Sequence, residues 1–87
     1  MTQHRHDFVN QFDCSQIAFG LDRELDEQSL HAYLQKFSDD DLMAVLLGRL
    51  SDQEISDSVD FVMRLLKRHL SEDEYHRLFL KDEDHHH

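Results

Sequence analysis

A chain of 87 residues with a formal charge of −10, no proline, two glycines and one cysteine is small, acidic and short of the residues that make tight β-hairpins. The single cysteine, Cys14, allows no intrachain disulfide, and the acidic balance lacks the basic footprint needed to bind nucleic-acid phosphates directly. No run approaches the ~18 apolar residues of a membrane span, and Met1-Thr2-Gln3-His4-Arg5-His6-Asp7 carries no apolar signal segment, so a cytoplasmic chain with no membrane partner is expected.

The first helix signal is Phe8 and Phe12, one turn apart. A second start follows at Phe12-Asp13-Cys14-Ser15-Gln16-Ile17, with a cap, a Gln at the third position and apolar residues on either side. Ile17, Leu21 and Leu25 continue that register, whereas Phe8, Phe12 and Phe19 belong to another. The spacing predicts helix here, broken near residues 12–14 or at Gly20. Asp26 then caps a helix to about Phe37, with Leu30, Leu34 and Phe37 on one face and Tyr33 beside them.

One six-residue pattern then recurs three times: Phe37-Ser38-Asp39-Asp40-Asp41-Leu42, Leu50-Ser51-Asp52-Gln53-Glu54-Ile55 and Leu70-Ser71-Glu72-Asp73-Glu74-Tyr75. In each, the serine hydroxyl accepts from a free N–H of the first turn, and the acid three residues on reaches back to the serine N–H. These starts predict helices from Ser38 to about Leu50, Ser51 to about Leu70, and Ser71 to about Lys81. The fold class expected is all-α: a small compact bundle of four to five short helices joined by Ser- and Asp-capped turns. Residues 1–81 are expected to form one helical domain. Residues 82–87, ending in His85, His86 and His87, read as a disordered acidic and histidine tail, native or left from a purification tag.

The same starts account for the charge. Asp26, Glu27, Asp39, Asp40, Asp41, Asp52, Glu54, Glu72, Asp73 and Glu74 sit at or near them, and the other nine of the nineteen acids balance nine Lys and Arg. Carboxylates there meet the positive end of the helix dipole.

Three features bear on function. Residues 42–48 carry no charged or polar side chain, so that helix is apolar nearly all round. It is either wrapped at the centre of the fold or meets another chain through Met43, Ala44 and Leu47, with Gly48 allowing close backbone approach. Arg49 falls within the same arc, as a side chain snorkelling past the helix end or as an interfacial arginine. On the long helix from Ser51, the residues Ile55, Val59, Val62, Met63, Leu66 and Leu70 share one side, widened by Phe61 and Leu65.

Histidines suggest less. Without Met1, Thr2-Gln3-His4 offers an amine, two amide nitrogens and an imidazole, a square-planar set suited to Cu(II) or Ni(II). Cys14 is solitary and no HExxH pair occurs, so no structural zinc site is expected. His69 lies on the apolar side of the long helix and reads as hydrogen-bonded and partly buried, with a pH-sensing role as the alternative. No nucleophile elbow, phosphate-cradling loop or dinucleotide fingerprint occurs, so neither enzyme activity nor a cofactor is expected.

The reading that follows is a non-enzymatic helical interaction or regulatory module. It would pair with itself or dock on a larger protein through Met43, Ala44, Leu47, Arg49, Phe61 and Leu65. The alternative is an acidic decoy that mimics nucleic acid towards a basic protein. Copper or nickel handling through terminal histidines comes third.

Overall fold

The computed structural model describes residues 3–82. Thr2 of the Thr2-Gln3-His4 motif and the histidines at 85–87 lie outside the described residues. Among the described residues all regular structure is helical and there is no strand. The chain divides into two compact units, Arg5–Arg49 on one side and the described part of Met1–His4 and Leu50–His87 on the other.

The Arg5–Arg49 unit holds α1 (Phe8–Gln11), a 3-10 turn (Cys14–Gln16), α2 (Arg23–Phe37) and α3 (Asp40–Leu46), which tightens into a second 3-10 turn (Leu47–Arg49). The α1 helix lies on α2. The Phe8 ring stacks on His31 at 4.2 Å between centroids and on Phe12 at 5.3 Å, and the Val9 N–H donates to Gln35 Oε1 at 2.8 Å. Past the 3-10 turn, the Ala18 N–H donates to Ser29 Oγ at 3.0 Å. Ser29 and Ala32, one turn apart on α2, are the two wholly buried residues among those described, and their small side chains let the N-terminal segment lie close.

Here the structure departs from the expected helix boundaries. The register of Ile17, Leu21 and Leu25 does not wind into helix across residues 17–22. Gly20 takes φ +91°, and the N–H groups of Ala18 and Gly20 go to Ser29 Oγ and Asp26 Oδ1 instead of to helical carbonyls. The cap of α2 is therefore Asp22, whose carboxylate accepts from the Leu25 N–H at 2.8 Å, and not Asp26. Asp39, and not Ser38, caps α3: its Oδ2 accepts from the N–H groups of Asp41 and Leu42 at 3.0 and 3.2 Å. Ser38 is taken up by the end of α2, with φ −87° and ψ 9° and its N–H on the Leu34 carbonyl, so the extended backbone a cap needs comes only at Asp39 (ψ 136°). Ser38 closes α2 instead, its hydroxyl donating to the Gln35 carbonyl at 3.3 Å.

The other unit starts with a full capping box. Ser51 Oγ accepts from the Glu54 N–H at 3.0 Å, and Glu54 Oε1 accepts from the Ser51 N–H at 2.8 Å. From it runs α4 (Asp52–His69), with Asp52 and Glu54 in its first turn and Lys67, Arg68 and His69 in its last. A second box at Ser71 and Glu74 starts α5 (Glu72–Glu74), which continues as a π-helix over Tyr75–Leu80. Lys81 ends it in the left-handed region at φ 56°, and the Asp82 N–H donates to the His76 carbonyl at 3.0 Å. The extent expected for this last helix is met, but its α-winding lasts one turn.

Candidate interaction surface

An 18-residue helix, α4 spans about 27 Å at 1.5 Å per residue. Its capping box and the match of its end charges to the dipole stabilise it locally, yet little of its apolar side is covered. Val59 and Phe61 are each 54% exposed, Ile55, Val62 and Leu65 are exposed too, and only Met63 and Leu66 are half-buried. On the flank of this face the Arg64 guanidinium lies 5.6 Å from the centre of the Phe61 ring. Arg64 thus engages Phe61 where helical spacing alone suggests Asp60 as its partner. Behind the apolar side, Gln53 Nε2 donates to Asp57 Oδ1 at 2.7 Å along the polar face.

Charge on α4 is fully segregated along its length. Asp52, Glu54, Asp57 and Asp60 occupy its first half, and Arg64, Lys67 and Arg68 its second. His69, expected partly buried, is exposed, because nothing among the described residues encloses the end of α4 on that side.

In the Arg5–Arg49 unit, the apolar stretch after Asp41 is also open. Leu47 is 52% exposed, Leu42, Ala44, Val45 and Arg49 are exposed, and Met43 and Leu46 are half-buried. A Cβ on Gly48 would meet nothing within 4 Å, so the close backbone approach that this glycine permits is not used among the described residues. The six residues singled out from the sequence therefore fall on two surfaces: Met43, Ala44, Leu47 and Arg49 on one unit, Phe61 and Leu65 on the other. The central apolar row Ile55, Val59 and Val62 is more telling than Phe61 and Leu65. Its period was readable, but a full stripe reads as core until its exposure is known.

A groove of about 330 Å³ opens where α4 meets the last helix, lined by Met63, Leu66, Leu70 and Tyr75 with Lys67 and His76 at its edge. His76 Nδ1 lies 3.7 Å from Asp82 Oδ2. Elsewhere the polar chemistry is that of helix starts. Hydrogen bonds from the Ser15 hydroxyl and N–H hold the Asp13 carboxyl below its usual range, and those from Ser71 do the same for Glu74. The Cys14 thiol donates to the Val9 carbonyl at 3.6 Å. Among the described residues no three His, Cys, Asp or Glu side chains gather as a metal site, and no helix is long and apolar enough to cross a membrane.

Comparison of the chain with family models, curated proteins and solved structures gives no match.

Proposed function

We propose that this chain is a non-enzymatic interaction module whose exposed apolar helix faces are covered by protein, in the first place by a second copy of itself. One observation carries the reading. Among the described residues Ala32 is the only buried hydrophobic side chain, while Leu47, Val59 and Phe61 each leave more than half their surface in water. Contiguous apolar surface on a helix is the usual mark of a protein-contact site, because its removal from water drives association. The segregated charge of α4 adds direction to that contact, and the acids at the helix starts keep the remaining surface polar.

Light scattering on the wild type and on Leu47→Glu and Phe61→Glu tests the proposal. A wild-type mass of twice the chain or more is expected, with a lower average mass for at least one variant at equal concentration. A wild type that stays at the mass of one chain at every concentration would defeat self-association.

A further inference from the structure

We infer that two copies of this chain join by laying α4 against α4 in antiparallel orientation, with Ile55, Val59, Val62 and Leu66 as the shared seam. The inference rests on the self-association reading above and adds the surface and the direction. Three observations support it.

The seam has the spacing of a two-helix contact. Ile55, Val59, Val62 and Leu66 follow one another at intervals of four, three and four residues, the repeat that keeps a stripe turned towards a partner helix. The first three are exposed and Leu66 is half-buried beside the groove.

The charge pattern selects the direction. All the carboxylates of α4 precede Phe61 and all its Lys and Arg follow Met63. Parallel copies would set acid beside acid and base beside base, with aligned dipoles adding to the repulsion. Antiparallel copies set each acidic half beside a basic half. The contact is then isologous and closes on itself.

One register satisfies both. When Ile55 is level with Leu66 of the second copy, Val59 is level with Val62, and the acidic half of each outer face runs alongside the basic half of the other at long range. On the flanks of the seam, the small Ser56 and Ser58 then stand opposite the bulky Met63 and Leu65, so the large side chains have room to close over it. The charged residues sit on the outer positions, where they bias orientation without being desolvated.

Disulfide trapping in the full chain tests the arrangement. In a Cys14→Ser background, Ile55→Cys and Leu66→Cys chains are oxidised separately and mixed, with light scattering on the same samples. The mixture is expected to give the linked dimer in several-fold excess over either variant alone. Ile55→Cys linking to itself would show parallel helices and overturn the proposal. A dimeric mass without the 55-to-66 link would also overturn it, while leaving self-association intact. A single-chain mass throughout would remove both readings and assign the face to the rest of the same chain or to a different protein. Should the seam cysteines disturb folding, paired Asp57→Lys and Asp60→Lys, which leave the Ser51–Glu54 box intact, decides the matter at low ionic strength. Antiparallel copies are weakened by it relative to wild type, whereas parallel copies are not, and an unweakened dimer overturns the proposal.

Discussion

Replacing Val59 by Asp strikes the middle of the α4 seam. Full burial of a valine side chain is worth ~1.5–3 kcal/mol, and Val59 is 54% exposed in the single chain, so about half of that remains to be gained on pairing. That is about 1 kcal/mol per chain, and because an isologous contact uses the residue twice, about 2 kcal/mol per dimer. A carboxylate brought against Val62 of the second copy adds roughly 1–3 kcal/mol of unrecovered hydration. That hydration cost is also met twice per dimer, so the terms together reach about 4–8 kcal/mol and predict a dissociation constant raised by about three to six orders of magnitude. Sedimentation equilibrium over a range of loading concentrations reads it, with circular dichroism to show that the helices persist. Asp60→Asn, away from the seam, serves as the control and should change the constant far less. An unchanged constant in a fully helical Val59→Asp protein would refute the seam.

Three predictions concern the units themselves. Ser29→Ala removes the buried acceptor of the Ala18 N–H, with an expected loss of about 1–3 kcal/mol, less about 0.5 kcal/mol returned by alanine's helix propensity; urea melts and faster hydrogen exchange of the Ala18 amide check it. Gly48→Ala should stabilise by about 0.4–1 kcal/mol, because the added methyl meets open space and the unfolded chain loses freedom, whereas Gly20→Ala, at φ +91°, should destabilise; thermal melts of the pair should move in opposite directions. Asp13 and Glu74 have carboxyls held below their usual values of 3.8 and 4.5, so their contribution to stability is present above those values and fades as pH falls through the lower folded ones. The melting temperature lost on Ser71→Ala should therefore be larger at neutral pH than at the acid end of a scan down to about pH 3, where the Glu74 contribution has faded in both proteins.

The helix starts show what a sequence can and cannot convey. Ser51, even with Asp52 beside it, and Ser71 each have extended backbone ahead of an acid at the third position, and both boxes form as the pattern implies. At Ser38 the pattern was equally complete, but α2 runs on to that residue and uses it as its own C-terminal cap, so Asp39 took the role. Asp22 was missed as the cap of α2 because Ile17, Leu21 and Leu25 keep one apolar period across it; the break allowed for at Gly20 does occur, but the bonds to Ser29 and Asp26 that hold the segment there depend on tertiary placement. The all-helical class was legible from turn-residue poverty and apolar period. The division at Arg49 and Leu50 was not, since no linker composition marks it. Of the candidate surface, the greasy stretch after Asp41 and the wide face of α4 could be seen. Which of their residues face water could not, because period gives a side of a helix and not what lies against it.

Hydrogen–deuterium exchange at two protein concentrations, one well above and one well below the midpoint of association, probes the covering of α4 most directly. Amides from Ile55 to Leu66 are predicted to exchange slowly in the concentrated sample and markedly faster on dilution, while those around Ser29 and Ala32 stay unchanged. Equal exchange of the 55–66 amides at both concentrations would contradict an α4 face closed by a second copy.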